Sequence, residues 1–183
     1  LFIYQAGPIN VRELDEEDAQ QLVQWLSDPA VLQFYEGRDN PHDLALVREN
    51  FYSEEEDDEE IRCIVEYEGK AIGYIQFYPL GEEEREEYGY SNPAERIYGT
   101  DQFIGEPDYW GRGIGTQLVR SMTDYLIRER GAETVVVDPQ AWNERAIACY
   151  EKCGFRKVQL LKEHELHEGQ DRDCWLMAYS AAE

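Results

Sequence analysis

The sequence is short of cations. Against 40 Asp and Glu it carries only 17 Lys and Arg and 3 His, a formal net charge of −23 over 183 residues. Nucleic acid and anionic membranes are bound through basic surfaces, so this balance argues against both as partners. Cysteine is scarce as well. Cys63, Cys149, Cys153 and Cys174 form no C-x-x-C pair, which leaves no redox or zinc-ribbon motif and fits reduced thiols in a cytoplasmic protein. No apolar run approaches the length of a membrane span, and the apolar opening Leu1-Phe2-Ile3-Tyr4 lacks the cationic leader and cleavage site of a signal peptide. Several chemical motifs are missing too. There is no G-x-G-x-x-G fingerprint and no Walker G-x-x-x-x-G-K-[ST] loop. No Ser–His–Asp or Cys–His arrangement can be argued, and His164 and His167, three apart and without a third ligand, do not make a zinc site.

What the chain does have is the stretch Trp110-Gly111-Arg112-Gly113-Ile114-Gly115-Thr116, set between the apolar run Phe103-Ile104-Gly105 and a long amphipathic segment at 117–130. Alternating glycines where a strand gives way to a helix leave backbone N–H groups bare, and the helix N-terminus adds its partial positive charge. A phosphate-bearing cofactor is the first expectation. Downstream, Asn143-Glu144-Arg145-Ala146-Ile147-Ala148-Cys149-Tyr150-Glu151-Lys152-Cys153-Gly154-Phe155 reads as a second helix. Asn143 is its N-cap, Ala146, Ile147 and Tyr150 share a face, and Gly154 closes it.

The remaining elements follow from hydrophobic period and punctuation. A strand is expected at 9–14 and a helix from Asp15 to Pro29 with Leu22, Val23 and Leu26 inward. A second helix at 42–52 turns Leu44, Val47 and Phe51 inward. The acidic runs at 54–60 and 82–87 read as solvated loops. Strands are expected at 61–67 and 71–78, joined by a turn at Glu68-Gly69, then at 96–104, 135–137, 156–161 and 174–179. Residues 1–8 are peripheral in this reading. With no internal repeat and no linker, a single domain over 1–183 is expected.

Taken together, the Gly-x-Gly loop and the N-x-x-A-x-x-x-Y-x-K-x-G-F helix resemble the GNAT superfamily of acetyl-CoA-dependent N-acetyltransferases. The block from Tyr98 through Asp101 to Trp110, the Asp138-Pro139 pair and Glu163-His-Glu-Leu-His-Glu-Gly169 are similar to the aminoglycoside 6′-N-acetyltransferases, above all to the acetyltransferase half of bifunctional acetyltransferase–phosphotransferase resistance enzymes. The likeness runs from about Val11 to Tyr179. It departs from the superfamily at Trp110, where Arg or Gln is usual, although an apolar residue there also occurs in the aminoglycoside branch.

The resemblance implies an α/β (α+β) fold with a mixed, mostly antiparallel sheet of about seven strands and about four flanking helices. It implies acetyl-CoA as acetyl donor, no metal, and a cationic aminoglycoside as acceptor, in a monomer or dimer. Polyamine or protein N-terminal acetylation is the alternative within the same fold. A non-catalytic module that captures cationic partners is the alternative outside it. The cofactor is expected on the backbone of Phe103 and Ile104, on Arg112, Gly113, Ile114, Gly115 and Thr116, and on Asn143.

The chemistry narrows further roles. A phenol of pKa about 10 can donate to a departing thiolate of pKa about 8.5, which suits Tyr150. Asp101 lies on the strand face of Gly99 and Phe103. A carboxylate of pKa about 3.9 is a weak base at neutral pH, so Asp101 is expected mainly as an ammonium anchor that also accepts the amine's proton. Asp138 is expected to bind a second ammonium, with Tyr35, Tyr88, Tyr90 and Trp142 lining the acceptor cleft.

Overall fold

A computed structural model gives the fold and describes residues 1–54 and 59–181. Most of the acidic run expected as a loop at 54–60 lies outside the described residues. In chain order the elements are β1 (Phe2–Ala6), β2 (Ile9–Glu13), α1 (Ala19–Trp25), α2 (Pro29–Leu32), α3 (Leu44–Phe51), β3 (Ile61–Tyr67) and β4 (Lys70–Pro79). They continue with α4 (Glu82–Tyr88), β5 (Ile97–Ile104), α5 (Ile114–Arg130), β6 (Thr134–Val137), α6 (Glu144–Lys152), β7 (Arg156–His167) and β8 (Gln170–Ser180). The strands form one sheet in the order β1-β2-β3-β4-β5-β6-β8-β7. Pairing is antiparallel for β1/β2, β2/β3 and β6/β8 and parallel for β5/β6. The mixed, mostly antiparallel α/β fold is therefore as expected. The eighth strand is β1, a segment that carries no clear period of its own.

Two compact units divide the chain. The first comprises Leu1–Gln76, Gln102–Arg112 and His167–Gly169; the second comprises Phe77–Asp101, Gly113–Leu166 and Gln170–Glu183.

In the first unit, Asp15 opens the helical region with a capping box. Its carboxylate accepts from Glu17 N–H, and its own N–H donates to Asp18 at 2.8 Å. A 3₁₀ turn follows at Glu16–Asp18 before α1. The helix expected to stop at Pro29 ends earlier, at Trp25, and Pro29 opens a new helix instead of closing the old one. Pro29 occupies the first turn of α2, where its missing N–H costs nothing, and Asp28 caps it through Ala30 N–H at 3.0 Å. Leu22, Trp25, Leu26, Val47, Phe51, Tyr74 and Phe103 form the core. Two glycines permit close approach there. A Cβ on Gly105 would stand 2.3 Å from the Trp25 ring, and one on Gly73 would stand 2.5 Å from the Phe103 carbonyl.

In the second unit, Leu80, Tyr88, Ile97, Val136, Leu161 and Leu176 make the core. The segment expected as an acidic loop at 82–87 is helical and forms α4. Gly81 begins it, three glutamates fall in its first turn, and a left-handed Gly89 ends it at φ +82°. Acidic side chains favour a helix N-terminus, and Tyr88 supplies the apolar anchor that a composition-based reading overlooks.

Candidate active site

The glycine-rich turn behaves as its sequence implies. Gly111 and Gly113 have φ of +72° and +77°, a region that side chains with a Cβ rarely adopt. Gly115 is not left-handed, and a Cβ there would meet nothing within 4 Å. Its role is therefore to leave the approach clear. Gly113 is the N-cap of α5, and the first helical bond runs from Gln117 N–H to the Gly113 carbonyl at 3.1 Å. The N–H groups of Ile114, Gly115 and Thr116 thus precede the first intrahelical donor, at the positive end of a 17-residue helix and next to the exposed Gly111, Arg112 and Gly113. These residues suit a diphosphate.

Helix α6 is fastened beside this turn. Asn143 caps it by accepting from Ala146 N–H at 3.2 Å. Thr116 Oγ1 lies 3.5 Å from Cys149 Sγ, the Cys153 thiol donates to the Thr116 carbonyl at 3.6 Å, and Arg120 donates to the Lys152 carbonyl at 2.8 Å. The Cys149 thiol is held well below the ordinary range, first by the hydrogen bond from Cys153, then by Thr116 and by the charges of Lys152 and Arg120. Tyr150, 8% exposed, sits on the same helix with its ring 5.7 Å from Phe155.

A second group of expected residues lies where two strands part. The β5/β6 ladder pairs Ile97 with Thr134, Tyr98 with Val135 and Gly99 with Val136, and it ends there. Asp101 and Asp138 both lie just past that point, one on β5 and one after β6. Around them stand Tyr88, which was expected here, and groups that the sequence reading passed over. Tyr78 on β4 fills the space in front of Gly99, where a Cβ would come within 2.5 Å of the ring. Its phenol is pushed far up, chiefly by burial and then by the charges of Asp101, Asp138 and Glu84. Tyr88 is raised in the same way by burial, then by Asp138, Glu84, Glu87 and Asp101. Four carboxylates therefore share one electrostatic neighbourhood with two tyrosines. His164 on β7 reaches into it, with Nδ1 3.0 Å from Glu87 Oε1 and Nε2 3.2 Å from Asp138 Oδ2. Glu84 and Glu87 were hidden by their acidic, low-complexity run. Tyr78 gave no signal beyond a strand tyrosine, and His164 was weighed only as a metal ligand.

The other expected residues are distributed as follows. Tyr90 packs on the core of the second unit. Trp142, 38% exposed, donates its indole N–H to Gln140 Oε1. Phe103, Ile104, Tyr35 and Arg112 belong to the first unit. There the Tyr35 ring lies 4.6 Å from that of Phe103, and Trp110 donates to the Ile104 carbonyl at 2.9 Å. The Arg112 guanidinium stacks 4.9 Å from the Tyr109 ring. Among the described residues, no group of three or more His, Cys, Asp or Glu side chains is placed to hold a metal ion. No described helix is long and apolar enough to cross a membrane.

A parallel strand pair whose ladder ends early, a glycine turn opening a helix and a second helix bonded beside that turn are the elements on which the family match falls. Residues 15–162 match the family described as an acetyltransferase (GNAT) domain. The chain belongs to that family and is an acyltransferase. It is 30% identical over 151 residues to the aminoglycoside N(6′)-acetyltransferase type 1 of Klebsiella pneumoniae, covering 81% of this chain and 74% of the relative. A spermidine N(1)-acetyltransferase of Escherichia coli K12 is 24% identical over 170 residues, covering 92% and 84%. Among solved structures, the aminoglycoside acetyltransferase AAC(6′)-Ib in complex with coenzyme A superposes with a TM-score of 0.78 at 27% identity, covering 95% of each chain.

Proposed function

We propose that this protein transfers the acetyl group of acetyl-CoA to the 6′-amine of an aminoglycoside. The observation that carries the reading is the acidic neighbourhood of Asp101, Asp138, Glu84 and Glu87 at the end of the β5/β6 ladder. It lies in the same unit as Gly113 and the first turn of α5. An aminoglycoside carries several ammonium groups on a rigid frame, and separated carboxylates can hold them individually. The matches to AAC(6′)-Ib bound to coenzyme A and kanamycin, at 27% identity, support the same assignment.

Acetyl-CoA supplies the activated acyl group. The chain's own residues do the rest. The N–H groups of Gly113, Ile114, Gly115 and Thr116, with the α5 dipole behind them, hold the diphosphate. Asp101 anchors the reacting ammonium and accepts its proton, while Asp138 binds a second ammonium and so fixes which amine is presented. Tyr150 donates its phenolic proton to the departing sulfur and recovers one, through solvent, from the second proton that the amine loses on becoming an amide. Because the amine attacks the thioester directly, no enzyme nucleophile is needed.

Polyamine acetylation is the second reading, favoured by the spermidine N(1)-acetyltransferase relative and by the same negative charge. A thiol-release assay with acetyl-CoA separates the two. Kanamycin should exceed spermidine and spermine in kcat/KM by at least about tenfold, the margin of one lost ammonium contact of about 1.4 kcal/mol. The reverse order would assign the enzyme to polyamines.

A further inference from the structure

His164 is held by two carboxylates at once. Its Nδ1 is 3.0 Å from Glu87 Oε1 on α4, its Nε2 is 3.2 Å from Asp138 Oδ2 after β6, and its side chain is only 17% exposed. Ionised carboxylates only accept hydrogen bonds, and a neutral imidazole donates only one. With a carboxylate oxygen within 3.2 Å of each ring nitrogen, the imidazolium, which carries a proton on both, is the form this setting favours. The backbone explains how the ring gets there. Glu163 is left-handed at φ +49°, and its N–H donates to the Asp173 side chain at 2.9 Å. Along β7 the inward positions fall at Leu161, His164 and His167, three apart instead of two. A local irregularity of this kind re-aims a strand side chain.

The ring thus occupies the place that a substrate ammonium would want, between carboxylates and beside the Tyr88 ring at 6.1 Å. We propose that His164 is a specificity-determining residue for the acceptor: its imidazolium fills an ammonium position at Asp138 and Glu87, and it gives up its proton when an ammonium of the substrate takes that position. The inference rests on the acceptor reading above, and in particular on Asp138 as a substrate ligand. Two like charges beside one carboxylate weaken each other's binding, and the coupling is reciprocal. Bound substrate therefore lowers the proton affinity of His164, and a protonated His164 lowers the affinity for substrate.

Other charged and titratable groups reach the same neighbourhood. They are Glu84, Glu87 and Tyr88 from α4, Tyr78 from β4, Asp101 from β5 and Asp138 after β6. Glu165 of β7 and Asp173 and Cys174 of β8 complete the set. Burial and the neighbouring charges raise Tyr78, Tyr88 and Cys174. Of these groups His164 is the imidazole, the side chain whose ordinary titration range lies near neutrality. The Asp138 hydrogen bond keeps its proton on above the ordinary histidine value.

The test is calorimetry of kanamycin binding to the coenzyme A complex of the full chain. It is run from pH 6 to 9 in two buffers of different ionisation enthalpy, for wild type and for His164→Gln. Wild type should release more protons on binding than the variant. His164→Gln should bind kanamycin at least about fivefold more tightly at pH 6.5, a gap that closes by about pH 9. Equal proton release, or weaker binding by the variant at pH 6.5, would overturn the exchange and leave His164 a support for Asp138. Wild-type proton release does not depend on the variant's folding. The thiol-release assay keeps the two ideas apart. If kanamycin is acetylated while proton release is equal, the exchange fails and the acceptor reading stands. If only spermine is accepted, the same measurements with spermine decide. If neither polycation binds, both ideas fail.

Discussion

The ring of Tyr78 occupies the space where a side chain on Gly99 would begin: a Cβ there would lie 2.5 Å from ring Cε2 and 2.8 Å from the hydroxyl oxygen. This relationship places the phenol beside the last β5 residue of the β5/β6 ladder, two positions before Asp101. Gly99→Ala must therefore move the tyrosine. Overpacking of this kind costs about 1–3 kcal/mol, and at this chain length each kcal/mol lowers the melting midpoint by about 2–4 °C. Turnover with kanamycin should fall with it. Tyr78→Leu in the Gly99→Ala background should recover part of the lost stability. Strict additivity of the two substitutions in thermal melts would show that the residues do not meet.

Gly115→Ala should behave in the opposite way. A methyl group there meets no atom within 4 Å, and alanine gains about 1 kcal/mol over glycine in a helix. The fold should be as stable as wild type or slightly more so. Yet the methyl stands before the amides proposed to hold the diphosphate, so coenzyme A should bind at least about tenfold more weakly, about 1.4 kcal/mol. Wild-type affinity by calorimetry would remove the turn from the cofactor site.

The cofactor half of this picture was legible in the sequence because its constraints are local. Gly113 needs a positive φ, Asn143 needs to cap, and both signals sit beside their consequences in the chain. Of the proposed acceptor site, Asp101, Asp138 and Tyr88 stood out in the sequence. Glu84 and Glu87 looked like solvated charge because helix α4 takes its register from Tyr88 and Gly89, whose anchoring appears only once the core is assembled. His164 depends on a backbone irregularity at Glu163 that breaks strand alternation, and period-two reading cannot anticipate it. Trp110 looked like a departure from the cofactor motif, but its indole N–H is engaged by the Ile104 carbonyl.

His164 also makes a stability prediction with a definite sign. The Asp138 hydrogen bond, reinforced by the charges of Asp138 and Glu87, raises its folded-state proton affinity above the unfolded value of 6.5. A raised histidine stabilises the fold fully below the unfolded value, and that contribution is lost as pH climbs through the folded one. In melts without ligand, wild type should exceed His164→Gln most clearly near pH 6 and converge with it at alkaline pH. A gap that widened with pH would contradict the carboxylate clamp.

Cys149 should be the fastest thiol to alkylate. Its proton is held less tightly than usual by the Cys153 hydrogen bond, Thr116, Lys152 and Arg120, to about 6. Cys153, by contrast, is raised by the same pairing. Only the thiolate reacts. Iodoacetamide labelling followed by peptide mass mapping at pH 7 should therefore find Cys149 ahead of the buried Cys63, Cys153 and Cys174. Thr116→Val should slow it, and preferential labelling of Cys174 would reverse the assignment.

Tyr150 and Asp101 should separate the two ends of the reaction. If Tyr150 donates to the departing sulfur, Tyr150→Phe keeps the ring against Phe155 and loses only the proton. The kcat should then drop by about 10²-fold, the scale of one general acid, while coenzyme A affinity by calorimetry stays near wild type. Asp101→Asn keeps the shape and removes the charge, so kanamycin turnover should collapse with coenzyme A binding again unchanged. Here the loss should appear in the KM for kanamycin as well as in kcat, because an anchor acts before and during transfer. Equal losses of turnover and coenzyme affinity in Tyr150→Phe would make that tyrosine a packing residue. Near-wild-type turnover in Asp101→Asn would hand the anchoring role to Asp138, Glu84 and Glu87.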